Sequence, residues 1–199
     1  MNARKIFVTM TLAAFVLVAA LPVQAADYNI DTSHSSVTFQ IKHLAISKVK
    51  GAFHDFTGSF SYDPAKPEAS SAVVVIQMAS VDTGNEKRDD HLRNPDFFEV
   101  DTYPNMTFKS TSVKMKNDEE GQVTGNLTMH GVTKPVTLDL EINGMITDPW
   151  GNERVGASLS GEINRKDWGL TWSKAMETGG LVVANEVKIS IELEGVKAE

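Results

Sequence analysis

Apolar and polar residues alternate with a period of two along most of this chain, and this constrains its fold more than any other feature. In residues 125–140, GNLTMHGVTKPVTLDL, small or apolar residues fall on odd positions before the His-Gly turn and on even positions after it. Side chains of a β-strand point alternately to its two faces, so this stretch predicts a hairpin with one apolar and one polar face. His130 shares the parity of the polar residues, and we expect it to face solvent.

The same alternation recurs and predicts an all-β fold. It is found in residues 36–43, 51–62, both arms of 125–140, 155–163 and 187–193. A further strand is expected at 106–115, and the nearly continuous apolar run 72–78 predicts a strand covered on both faces for part of its length. A short additional strand is expected at 28–30. The parity changes across His54 and Asp55, which predicts a β-bulge or a sharp bend. Eight antiparallel strands are typical of a closed barrel or a sandwich, and closure removes the unpaired edges that promote aggregation.

Residues 83–94 interrupt the alternation, because they are dense in charge and have no period of two. Thr83 or Asn85 can cap a helix here, and Pro95, just after the segment, would end it. We therefore expect one short helix of about residues 83–94, with Asp89 and Arg93 as an i,i+4 ion pair.

Two residues of this helix are candidates for holding the polar head of a ligand. Arg88 and His91 would do so if the helix lies at the mouth of a barrel, since a guanidinium forks onto carboxylate or phosphate oxygens. The alternative is that both belong to a solvated helix face.

The first 25 residues have the organisation of a cleaved signal peptide. Arg4 and Lys5 precede an apolar run over residues 6–21, and Val23 and Ala25 are the small residues of a cleavage site. The apolar run is shorter than the roughly 20 residues that span a bilayer. We expect cleavage after Ala25, an exported protein without permanent membrane insertion, and a single domain over residues 26–199.

The charge of the chain argues against nucleic acid as a partner, and its lack of cysteine excludes disulfides. The chain has 26 acidic and 19 basic residues, and loss of Arg4 and Lys5 makes the balance more acidic still. An acidic protein without a basic block is not expected to bind nucleic acid. The chain has no cysteine, so it forms no disulfide.

The histidines form no recognisable metal or catalytic motif. The five histidines are His34, His43, His54, His91 and His130. No two of them have the spacing of a metal-binding motif, and no nucleophile motif such as G-x-S-x-G occurs. The sequence therefore predicts no metal site, no cofactor and no catalytic residue. Its aromatic residues and methionines leave open whether a barrel would be filled by side chains or hollow.

Several segments resemble the YceI family of bacterial periplasmic lipocalin-like proteins, also called polyisoprenoid-binding proteins. They include YNIDTSHSSVTFQIKHL (28–44), VKGAFHDFTGSF (49–60), SVDTGNEKRDDHLRNPDFFEVDTYPNMTFKSTSV (80–113), GNLTMHGVTKPVTLDL (125–140) and INRKDWGLTW (163–172). The resemblance implies an eight-stranded antiparallel lipocalin-like barrel with one helix and a hollow lumen. It also implies periplasmic localisation, an isoprenoid or fatty-chain amphiphile as ligand, no catalytic activity and, as in some family members, a homodimer.

Given a hollow lumen, strand parity and position predict its wall. The residues expected there by parity are Phe39, Ile41, Phe53, Phe60, Leu127, Met129, Val136, Leu138 and Leu159. Those expected at the wall or mouth are Phe97, Phe98, Met106, Phe108, Trp168 and Trp172. The leading hypothesis is a periplasmic carrier of a long-chain amphiphile. A non-catalytic adaptor with a filled barrel and a lipid-modifying enzyme are the alternatives.

Overall fold

A computed structural model describes residues 25–173 and 181–199 of the chain. The signal peptide predicted for residues 1–25 lies outside the described residues except for Ala25, so it stays a prediction. The strands are β1 Ala26–Ile30, β2 Ser36–His43, β3 Ser47–Phe53, β4 Phe56–Tyr62, β5 Ser71–Gln77, β6 Val81–Asp82, β7 Asn105–Met115, β8 Glu120–Met129, β9 Val132–Thr147, β10 Glu153–Asn164 and β11 Val183–Lys197. One α-helix, α1, spans Glu86–Arg93, and short 3-10 helices span Pro67–Ala69, Met78–Ser80 and Arg165–Trp168.

The strand segments form one antiparallel sheet that closes on itself. Its order is β1-β4-β5-β7-β8-β9-β10-β11-β2-β3-β6, and β1 also pairs with β11. β1 and β2 both lie along β11, β3 and β4 continue one another, and β5 and β6 do the same beside them. The eleven segments therefore make eight long strands, of which three are interrupted. The predicted eight-stranded antiparallel barrel with one helix is confirmed.

The change of parity at His54 and Asp55 marks one of these interruptions. The ladder between β2 and β3 ends at Phe53, and the ladder between β4 and β5 starts at Phe56. The chain bends between them, so the side chains on both sides of the bend point to the same interior although their parity differs. The predicted bend is therefore present.

Strand direction gives the barrel two distinct ends. At the end that we call the helix end lie α1, the β8–β9 turn and the 3-10 helix Arg165–Trp168, which follow or precede the strands there. At the opposite end, which we call the turn end, lie the β7–β8 and β9–β10 turns. Together these elements position the candidate site and a separate charge cluster.

Local hydrogen bonds set the start of α1 and correct one predicted ion pair. The side chain of Asn85 accepts a hydrogen bond from the backbone of Arg88, so Asn85 rather than Thr83 is the cap. Asp89 is buried and accepts hydrogen bonds from the backbone and hydroxyl of Thr83. The predicted pair of Asp89 with Arg93 is therefore wrong, and Arg93 pairs with Asp90 at 3.0 Å.

Candidate functional site: an apolar lumen

The barrel encloses a cavity of about 370 Å³ with an almost wholly apolar wall. This volume far exceeds the ~10–15 Å³ that accommodates one water molecule and lies in the ~300–1,000 Å³ range of ligand pockets. The predicted wall residues that line it are Phe39, Ile41, Phe53, Phe97, Phe98, Met106, Phe108, Leu127, Met129, Val136, Leu138, Leu159 and Trp172. Strand parity brings them together, and their contact with a ligand stays a prediction.

Phe60, predicted on the wall, and Trp168, predicted at the wall or mouth, do not line this cavity. Phe60 stacks on Tyr28 with ring centroids 5.2 Å apart and covers Gly195, where β1 meets β11 near the turn end. Trp168 is 2% exposed, and its indole nitrogen donates to the carbonyl of Leu127 at 3.1 Å. Parity therefore overestimated how far the lumen extends at Phe60, whereas the position of Trp168 at the helix end agrees with the mouth alternative of its prediction.

An aromatic cluster borders the cavity at the helix end. The His91 ring makes edge contacts with Phe97 and Trp172 at centroid distances of 5.0 and 4.9 Å. Its Nε2 lies 2.9 Å from a carboxylate oxygen of Asp96. His91 therefore lines the cavity as predicted, but its ring is held by these neighbours.

Arg88 also lines the cavity at this end. Its Nε donates to the hydroxyl of Thr83 at 2.7 Å, and its Nη2 donates to the Thr83 carbonyl at 2.9 Å. These two bonds orient the planar guanidinium group. Of the two alternatives that the sequence left open, the structure thus agrees with Arg88 and His91 at the cavity, while their contact with a head group stays a prediction.

Arg165 is a cavity residue that the sequence analysis missed. It is 3% exposed, and its guanidinium donates to the carbonyls of Ala184 and Leu170. Burial lowers the pKa of Arg165, opposed by the charge of Glu186. Arg165 lies within the family-like segment INRKDWGLTW, but local spacing gave it no role, because its partners lie on β11 and in the segment after the 3-10 helix.

His130 is not the solvent-facing turn residue that its parity predicts. It and Gly131 have φ angles of 50° and 72°, so the turn adopts the left-handed conformation of a tight hairpin. The side chain folds back, with Nδ1 3.1 Å from the carbonyl of Trp168 and the ring against Tyr103 at 4.7 Å. Because its φ is positive, His130 does not follow the alternation of side-chain direction along the strand. Its ring instead connects the β8–β9 turn to Trp168 and Tyr103 at the helix end.

The turn end carries a cluster of charges around Arg154, outside the cavity lining. Arg154 lies 2.8 Å from carboxylate oxygens of both Asp31 and Asp148 and 2.5 Å from Glu194. Hydrogen bonds from His34 and Arg154 lower the pKa of Asp31 to about 2. The Arg154 hydrogen bond is also the main cause of the lowered pKa of Asp148.

The same cluster has the closest approach to a metal-ligand geometry in the described ranges. Ligand atoms of Asp31, His34 and Glu194 lie within 4.8 Å of one another. However, the Arg154 guanidinium already contacts both carboxylates, so it supplies the positive charge that a metal ion would bring. The arrangement is that of an ion-pair network.

Comparisons with known proteins agree with this geometry. The family model for the YceI-like domain matches residues 28–195. The chain belongs to the YceI family. A UPF0312 protein of Yersinia enterocolitica is 42% identical to it over 197 residues, which is 98% of both chains.

Solved structures support the same fold. The Campylobacter jejuni YceI protein has a TM-score of 0.71 and 39% identity, over 79% of this chain and 90% of that one. A polyisoprenoid binding domain from Saccharophagus degradans has a TM-score of 0.64 and 19% identity, over 88% of this chain and all of that one. Within residues 25–173 and 181–199, this YceI protein has no helix of the length and apolarity needed to cross a membrane.

Proposed function

We propose that this YceI protein is a carrier that holds an isoprenoid-type or other long-chain amphiphile with its tail in the barrel lumen. The main support is the cavity of about 370 Å³ with its nearly continuous apolar wall. An adaptor that works through a filled barrel would have no need of such a space. The related fold of a polyisoprenoid binding domain agrees with the proposal.

The energetics of burial make an apolar lumen sufficient for binding. Each methylene group transferred from water contributes about 0.8 kcal/mol, so a tail of about ten methylenes contributes roughly 8 kcal/mol. Part of this is offset by the entropy cost of association. The remainder supports binding without specific polar contacts along the tail, and several kinds of chain fit the same wall.

We also propose a binding role rather than catalysis. In the described part of the chain, no serine or threonine hydroxyl is hydrogen-bonded to a histidine ring; the rings of His34, His54 and His91 contact Asp31, Asp82 and Asp96 instead. A nucleophile activated by histidine needs such a contact. Bound lipid should therefore be recovered chemically unchanged after long incubation, whereas accumulation of a converted product would refute this role.

Native mass spectrometry of the protein purified from its own cells tests the carrier function. We expect a bound species whose mass matches a long-chain lipid recovered by solvent extraction. The same spectrum reports whether the protein is a homodimer. A ligand-free spectrum, with no binding when long-chain lipids are added, would contradict the carrier function.

A pair of variants on β5 localises the ligand to the lumen. Val74 lines the cavity, whereas its neighbour Val73 points outward and is 47% exposed. We expect Val74→Trp to reduce lipid binding at least tenfold, because the indole occupies lumen volume, and Val73→Trp to leave it unchanged. Circular dichroism controls for folding, and equal binding by both variants would place the ligand elsewhere.

Export to the periplasm forms part of the proposal. It is supported by the signal-peptide pattern of residues 1–25. Cell fractionation and amino-terminal sequencing of the purified protein should show a periplasmic chain that begins at Ala26. A full-length chain retained in the cytoplasm would contradict export.

A further inference from the structure

The cations of the lumen lie at one end of it. Arg88 and Arg165 both line the cavity, and both belong to elements of the helix end. The wall between them and the turn end is formed by side chains such as Val74, Phe108 and Leu138. The cavity is therefore an apolar chamber with positive charge at one end.

Neither of these arginines forms a close ion pair with the described residues, although the charge of Glu186 acts on Arg165 from a longer distance. No carboxylate of residues 25–173 or 181–199 lies within 4 Å of either guanidinium, because the ion pairs of this region involve other groups. Arg88 donates only to Thr83, and its Nη1 has no hydrogen-bond partner in the same ranges. Arg165 donates only to carbonyl groups.

Carboxylates near Arg88 in sequence are engaged elsewhere. Asp89 accepts two hydrogen bonds from Thr83, Asp90 pairs with Arg93, and Asp96 contacts His91. These three carboxylates therefore bond to groups other than Arg88, and Glu192, an acid of the cavity lining, accepts a hydrogen bond from Ser158. A cation beside an apolar wall is poorly solvated, and an anion with suitable hydrogen-bond geometry offsets that cost.

We propose that the lumen selects an amphiphile with an oxyanion head group, a carboxylate or a phosphate, which binds Arg88 at the helix end. Arg165 adds positive potential from a fixed position, and the tail extends towards the turn end. Charge-assisted hydrogen bonds to a guanidinium are about twice as strong as neutral ones. This inference rests on the proposed carrier function and adds the head-group class and the orientation of the ligand.

Matched ligands that differ only in the head group test the selection. Palmitic acid is compared with hexadecanol, and geranylgeranyl phosphate with geranylgeraniol, by native mass spectrometry and by quenching of tryptophan fluorescence, since Trp172 lines the cavity. We expect each anion to bind at least about tenfold more tightly than its alcohol, as hydrogen bonds to charged groups allow. The larger of the two ratios shows whether carboxylate or phosphate is preferred.

Three variants assign the effect to Arg88. Arg88→Met keeps the length of the side chain and removes its charge, and we expect it to weaken both anions about tenfold while leaving the alcohols within about twofold. Arg88→Lys should recover part of the loss. Lys87→Met makes the same charge change on an exposed neighbour in α1 and should have no effect.

The outcomes separate this inference from the carrier function. If acids and alcohols bind the wild-type protein equally, or if Arg88→Met weakens all four ligands alike, head-group selection is refuted while the carrier function stands. If none of the four ligands binds, the carrier function itself fails. Alcohol binding also serves as the folding control for each variant.

Discussion

The two ends of the barrel differ in the groups that surround their arginine side chains. At the turn end, Arg154 is surrounded by carboxylates of Asp31, Asp148 and Glu194. At the helix end, Arg88 and Arg165 bond to hydroxyl and carbonyl oxygens, and no described carboxylate contacts them. One end has more negative than positive charge around its arginine, and the other has arginines without a close ion pair beside an apolar cavity.

This difference suggests that the arginine of the turn end stabilises the fold, whereas those of the helix end are available to a ligand. The carboxylates around Arg154 come from the β1–β2 connection, the β9–β10 turn and β11, so one cation holds together three parts of the turn end. A cation that already has its full set of anions offers little to a ligand. The arginines of the helix end lack that set, and a ligand can supply it.

Removal of Arg154 should have the largest effect on stability. In Arg154→Met the carboxylates lose their shared partner and repel one another, and we expect the melting temperature to fall on the order of 10 °C. Lys116→Met is the matched control, since Lys116 is 78% exposed in its pair with Glu120 and should change melting by no more than about 2 °C. Equal melting temperatures for the two variants would contradict a stabilising role of Arg154 at the turn end.

Acid should weaken the turn end next most strongly. A carboxylate with a lowered pKa stabilises the folded state above its ordinary pKa, and this stabilisation is lost as the pH falls through the folded value. For Asp31 that window runs from about pH 4 down to about pH 2. We expect the melting temperature to fall by about 5 °C or more across it.

The same titration in Arg154→Met shows which partner is responsible. The acid-induced decrease should become smaller, because one cause of the lowered Asp31 pKa and the main cause for Asp148 are gone. The contribution of His34 to Asp31 persists. An unchanged decrease would mean that other groups govern acid stability.

Arg88→Met should have a smaller effect on the ligand-free protein. The variant loses two hydrogen bonds to Thr83 but also a poorly compensated charge, so we expect melting to shift by less than about 3 °C. Saturating palmitic acid should then raise the melting temperature of the wild-type protein more than that of the variant. A loss as large as that of Arg154→Met would instead make Arg88 a structural residue.

Trp150→Ser should have the smallest effect. Trp150 lies in the β9–β10 turn beside Asp148 but is 82% exposed, and exposed side chains contribute little to folding. Melting should change by less than about 2 °C. A larger decrease would show that this ring, as well as Arg154, stabilises the turn end.

The alternation in the sequence predicted the strands and most of the cavity wall, because parity decides which face of a strand a side chain occupies. Leu127, Met129, Val136 and Leu138 line the cavity as the hairpin pattern indicated. The pattern failed where the backbone leaves the regular strand conformation. His130 has a positive φ and its side chain contacts the Trp168 carbonyl and the Tyr103 ring. The pattern also placed Phe60 on the wall, whereas its ring stacks on Tyr28.

The charge arrangement could not be predicted from local patterns. Asp31, Asp148 and Glu194 are far apart in sequence and meet only because β1 and β10 both pair with β11. The role of Asp89 was missed for a related reason, since its pairing with Thr83 depends on the bend that precedes α1. Local spacing suggested Arg93 instead.

The barrel closes only when β1 pairs with β11, so the enclosed lumen forms only after β11 has been synthesised. Ile30 lies opposite Gly195, so the β1–β11 pairing joins residues from nearly opposite ends of the matched region. Contacts this distant in sequence form slowly, because a long loop must close before they are made. A ribosome delivers β11 after every other strand, so a nascent chain has an open wall and no sealed chamber. Under the proposed carrier function, cargo is therefore loaded only after β11 has paired with β1 and closed the barrel.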